Sequence, residues 1–110
     1  MIYLAGPYSD KDPEVVEARM DIFYKAMGEF MKEGKHVITP LFMHEVAVRH
    51  DLAGTYDYWE KYCLDVLGRC DEMIVLCLPG WTESRGVKGE MDYCKKYGKK
   101  VTFVEVFENE

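Results

Sequence analysis

The residues best suited to chemistry cluster in CDEMIVLCLPGWTESRGVKGEMDYC, the segment from Cys70 to Cys94. Pro79-Gly80-Trp81 breaks an apolar run there, Ser84-x-Gly86 follows, and Glu90 comes next. If a helix starts near Ser84 or Arg85, Glu90 lies between its first and second turns and can point into a crevice. The positive end of that helix favours an ionised carboxylate, which predicts a deprotonated base or nucleophile at neutral pH. The same spacing equally describes an ordinary solvated glutamate near a helix start. Ser84 and Gly86 also have two readings. One is a helix cap with a small residue for close packing; the other is a cradle in which the serine hydroxyl and free first-turn N–H groups hold a phosphate. Arg85 and Lys88 would add positive charge there.

Asp65 on the preceding helix would direct a second carboxylate over the sheet edge toward Glu90, or be an exposed helix residue, whereas Asp71 ends that helix and starts a strand. Two acids in different surroundings suit glycosyl chemistry, one attacking or stabilising the sugar carbon and the other handling hydroxyls or protons. Tyr3, inside the first strand, needs a polar partner once buried and could donate to Glu90. Tyr8, Phe42, Tyr56, Tyr58, Trp59 and Trp81 are expected to crowd the loops around the site, where they would stack on a flat ring or be covered by a dimer partner. His44 and His50 have no further ligands at helical or hairpin spacing, so no metal site is expected.

The elements that must position these groups follow from pattern and punctuation. Ile2 to Ala5, ended by Gly6-Pro7, reads as a central strand opening onto a loop. Asp12-Pro13 caps a helix whose apolar residues Val16, Met20, Phe23, Met27 and Phe30 recur at helical spacing until Gly34. A second strand is expected over 36–39, weak helical character over 41–56, and a helix over 57–68. A strand over 73–78, a helix over 85–97 and a strand over 100–106 complete the series. Apolar strands alternating with amphipathic helices predict an α/β three-layer sandwich with a four- or five-stranded parallel sheet, flavodoxin- or Rossmann-like, as one domain over 1–110. Ligands collect beyond the carboxyl ends of such strands, where strand order reverses. That predicts a site built from the Gly6 loop, the Pro40 segment and the loop from Pro79 to Gly86, with Glu108-Asn109-Glu110 a frayed acidic end.

A chain of 110 residues, 48% of them hydrophobic, suffices for one core and not for two. The formal net charge of −6 argues against a nucleic-acid-coating surface, though not against a small anion held by local N–H groups. The four cysteines form no C-x-x-C pair and are expected as buried free thiols. Neither a leader pattern nor an apolar run near the ~20 residues that span a bilayer is present, which predicts a cytoplasmic, reduced protein with no membrane partner.

Ile2-Tyr3-Leu4-Ala5-Gly6-Pro7, taken with Cys70-Asp71 and Ser84-x-Gly86-Val87-x-x-Glu90, resembles the nucleoside 2-deoxyribosyltransferase-like superfamily, which includes 2′-deoxynucleoside 5′-monophosphate N-glycosidases. The resemblance covers essentially the whole chain, and P-G-W-x-x-S-R-G is similar to small bacterial and phage members. It implies that Glu90 is the nucleophile toward C1′ of the sugar, that Tyr3 hydrogen-bonds it, and that Ser84 and Gly86 hold a 5′-phosphate. The loop Gly6, Pro7, Tyr8 and Ser9 would wall the nucleotide pocket. The family's second acid falls nearer Cys63 without a gap and on Asp65 with a short shift. Trp81 and its neighbours depart from the deoxyribosyltransferases proper.

The expected function is cleavage or transfer at the N-glycosidic bond of a nucleotide, without cofactor or metal, by a dimer whose aromatic middle segment is covered on self-association. The alternative is a non-catalytic nucleotide sensor or sink. A flavin protein fits less well, because the first loop lacks a hydroxyl-rich phosphate run.

Overall fold

Ile2–Ala5 forms β1, whose last three residues are buried, and Gly6 follows it in close packing, where a Cβ would stand 2.6 Å from Phe23 Cζ. Asp12 then caps α1, Pro13–Lys32, its carboxylate accepting from the Glu14 N–H at 2.9 Å with proline at the first helical position. Gly34, at φ +85°, turns the chain out of α1. Val37–Ile38 forms β2, and a 3-10 turn over Pro40–Met43 leads into α2, His44–Arg49. α3 spans Tyr56–Gly68, β3 Glu72–Cys77, α4 Arg85–Tyr97 and β4 Lys100–Glu105. This computed structural model describes residues 1–51 and 56–105, and of Tyr56 only the backbone. The expected acidic end at 108–110, the strand end at 106 and the middle-segment residues 52–55 lie outside the described residues.

All four strands run parallel in the order β2-β1-β3-β4. Period-2 alternation sends Tyr3, Ala5, Met73, Val75 and Cys77 to one face, where Leu67 of α3 and Val87 and Cys94 of α4 bury them. Leu4, Ile74 and Leu76 take the other face, packed on Phe23 and its neighbours in α1. Helices therefore cover both sides of one parallel sheet, a three-layer α/β sandwich of flavodoxin- or Rossmann-like form. No helix among the described residues is long and apolar enough to cross a membrane.

β2 is shorter than expected, because Thr39 leaves the sheet to accept the Leu41 N–H at 3.4 Å and start the 3-10 turn. Strand order reverses at β1, which has β2 on one side and β3 on the other, so the loops after β1 and β3 meet at their carboxyl ends. Arg19 joins them, donating to the Ser9 carbonyl at 2.9 Å, the Tyr8 carbonyl at 3.3 Å and the Pro79 carbonyl at 3.4 Å. Gly80 makes room: at φ +95° it turns the second loop, and a Cβ would stand 3.1 Å from the Arg19 guanidinium.

Candidate functional site

Both α3 and α4 run against the strands, so their first halves lie toward the carboxyl edge of the sheet. Between them is a small cavity of about 30 Å³, lined by Glu60, Cys63 and Leu64 from α3 and Gly86, Gly89 and Glu90 from α4. Ser84 sets the start of α4, its Oγ accepting from the Val87 N–H at 3.2 Å. Counting from that cap, Glu90 turns inward with Val87, while Lys88 stays exposed.

Glu90 is only 9% exposed, and the Tyr3 hydroxyl donates to its Oε2 from β1. Burial pushes the carboxyl up from 4.5 to about 7, against the opposing pull of the Tyr3 hydrogen bond. Near neutral pH Glu90 is therefore about half ionised, less than the deprotonated carboxylate expected from the helix end. Glu90 sits beyond the first turn, where the helix end acts most strongly, and desolvation dominates. Burial likewise raises Tyr3, with the Glu90 charge adding to it. Cys63, on the same cavity, is pushed up to about 12 by burial and by Glu90, so it stands there as a neutral thiol.

The expected residues separate into groups. Tyr3, Glu90 and Gly86 come together. Asp65 does not join them: its side chain is 68% exposed and accepts from Arg69 Nε at 3.3 Å along α3. Glu60 is the α3 acid on the cavity, with Cys63 and Leu64 at i+3 and i+4 marking its face. Arg85 is exposed on the first turn of α4. Trp81 packs on the α3–α4 core and against Phe103 of β4, ring centroids 5.4 Å apart. Tyr58 and Trp59 lie in α3, within the helix expected over 57–68, and form an aromatic cluster with Tyr62. The Tyr56 side chain is outside the described residues.

In the first loop Pro7 is buried, Tyr8 half-buried and Ser9 exposed. Tyr8 meets a partner that spacing had not suggested. Its hydroxyl pairs with Nδ1 of buried His44, and His44 Nε2 pairs with Oε2 of Glu17 on α1. Arg19 was also missed, though it sits beside the apolar stripe of α1, between Val16 and Phe23, where a charge needs a reason. All four cysteines are free thiols, with Cys63 half-buried and the other three buried.

No curated protein matches the chain. The model of a family described as a domain of unknown function, DUF1937, matches residues 1–106, and the chain belongs to that family.

Proposed function

We propose that this protein cleaves, or transfers across, the N-glycosidic bond of a nucleoside 5′-monophosphate, with Glu90 as nucleophile. The observation that carries this reading is a buried carboxyl, aimed by Tyr3, at the wall of a cavity near the carboxyl edge of the sheet. The Glu90 carboxylate attacks C1′, the C1′–N bond breaks, and its electron pair leaves with the base. Water or a second base then displaces Glu90, giving hydrolysis or transfer. Of the α3 acids, Glu60 borders the cavity and takes the role of handling sugar hydroxyls or protons that Asp65 is too remote to fill.

Two glycines support access from this side. A Cβ on Gly89 would meet nothing within 4 Å, and one on Gly86 only Ser84 Oγ at 3.9 Å, so no packing constraint requires glycine at either position. Glycine inside a helix costs about 1 kcal/mol relative to alanine. Leaving the Glu90 wall open to a sugar ring gives that cost a purpose. The phosphate end falls to the first turn of α4, with Ser84 as its cap and Arg85 nearby, and the loop Gly6, Pro7, Tyr8 and Ser9 with Trp81 bounds the remainder.

A dimer is the expected assembly, supported by Phe42, Val46, Val48 and Tyr58, which are 49%, 41%, 61% and 55% exposed. Sedimentation showing a monomer at working concentration would remove it. Four unpaired thiols suit a reducing compartment and support a cytoplasmic location.

The deciding experiment follows free-base release from a panel of ribo- and deoxyribonucleoside monophosphates by the intact protein and by Glu90→Gln. Loss of about a thousand-fold or more on substitution is expected. Equal release by both proteins would sink the nucleophile assignment. Binding without release by either would favour a nucleotide sensor.

A further inference from the structure

We propose that Tyr8 is a second reactive centre, a hydroxyl that accepts an acyl group from a neutral activated ester, with His44 as its base and Glu17 orienting His44. This goes beyond the glycosidic reading and does not depend on it. The three residues come from three elements: the loop after β1, the first residue of α2, and α1. Tyr8 Oη meets Nδ1 of His44, whose Nε2 meets the Glu17 carboxylate. With Glu17 accepting the Nε2 proton, Nδ1 presents its lone pair to the Tyr8 O–H. Nucleophile, base and orienting acid in hydrogen-bonded sequence are the geometry by which a weak hydroxyl nucleophile is activated.

The ring of His44 is 8% exposed and stands edge-on to Tyr8, centroids 5.5 Å apart, so the base is fixed in direction. At the other end the Glu17 side chain is 65% exposed, and protons can exchange with water there. Tyr8 itself is half-buried. In the acyl step, Oη attacks the ester carbonyl carbon and its proton passes to Nδ1. The resulting imidazolium is held by Glu17, and the tetrahedral adduct collapses with loss of the alkoxide or phenoxide. Glu17 stands behind His44 and its charge reaches the Tyr8 phenol, which disfavours an anionic donor and favours a neutral ester.

Burial, and then the Glu17 charge, push the Tyr8 phenol up. Without help from His44, Tyr8 would therefore react more slowly than a solvent-exposed tyrosine, and this makes the test sharp. The protein is treated at neutral pH with 4-nitrophenyl acetate, and acetylation is mapped by peptide mass spectrometry. Tyr24, Tyr58 and Tyr97, which are 51%, 55% and 57% exposed, serve as internal standards.

Tyr8 is expected to acetylate at least about ten-fold faster than these three, and about a hundred-fold more slowly after His44→Asn. Glu17→Gln changes a surface side chain, so it leaves the circular dichroism intact and stays readable even if His44→Asn does not fold. It is expected to slow Tyr8 about ten-fold while leaving the three standards unchanged. Tyr8 acetylated no faster than the standards, or a rate unaffected by Glu17→Gln, would overturn the proposal and leave the three residues as a clamp on the loop.

Discussion

Glu90 and His44 are buried to nearly the same degree, 9% and 8% exposed, yet their surroundings differ in kind. His44 has a side-chain partner on each ring nitrogen, and the second partner reaches water. Glu90 has Tyr3 on one oxygen, with a thiol, a leucine, two glycines and the exposed Glu60 around the cavity it borders. A carboxylate removed from water with so little replacement holds its proton to about pH 7. Burial alone therefore does not mark a reactive group. The number of partners that replace lost water decides whether the charge is tolerated.

The largest test of that contrast is the pH dependence of stability. Raising the Glu90 carboxyl from 4.5 to about 7 in the folded protein means that the native state binds a proton the unfolded chain has already released. The contribution is fully present below about pH 4.5 and is lost as pH rises to about 7, a change of about 3 kcal/mol. Glutamine cannot ionise, so Glu90→Gln should match the parent protein near pH 4.5 and melt about 10 °C higher at pH 8. Thermal denaturation of both proteins at the two pH values checks this, and parallel curves would show that the carboxyl is not desolvated. If Glu90 is the nucleophile, base release by the parent should also climb through about pH 7, as the carboxylate forms.

Tyr3→Phe is the next largest. It removes the donor to a buried acid, at a cost of about 1–3 kcal/mol where Glu90 is ionised and less where it is protonated. The Tyr3 hydrogen bond opposes the upward shift of Glu90, so its loss should move the carboxyl, and the rising limb of any rate profile, to higher pH. An NMR titration of the Glu90 side chain in both proteins measures that displacement. No movement would mean that Tyr3 merely fills space.

How far the sequence foretold this arrangement varies along the chain. α1 and α4 were legible because each carries its own punctuation: Asp12-Pro13 and Gly34 for one, Ser84 for the other. The region after β2 was not, because Phe42, Val46 and Val48 are apolar yet exposed, which blurs any helical period. Within the site, Tyr3 and Glu90 lie 87 residues apart, a separation that local spacing cannot bridge; a buried strand hydroxyl in need of a partner suggested the pair, and the resemblance implied it too. Asp65 failed by rotation. It follows Leu64 directly, which turns it about 100° off the face that Glu60, Cys63 and Leu64 share. The partnership of Tyr8, His44 and Glu17 depends on three elements converging, and nothing in their spacing announces it.

The smallest expected effect is also the one that separates access from packing at Glu90. A Cβ at position 89 meets open space, so Gly89→Ala needs no rearrangement and should stabilise α4 by about 0.5–1 kcal/mol through helix propensity and a less disordered unfolded chain. The added methyl stands at the cavity where a sugar would reach the carboxyl, so the same variant should lose base release while melting higher. No substitution near Tyr8 should reproduce that opposition, because His44 is held by partners rather than left beside open space. A Gly89→Ala protein that is both more stable and fully active would mean the opening serves nothing, and the glycine would be an unselected weakness in the helix.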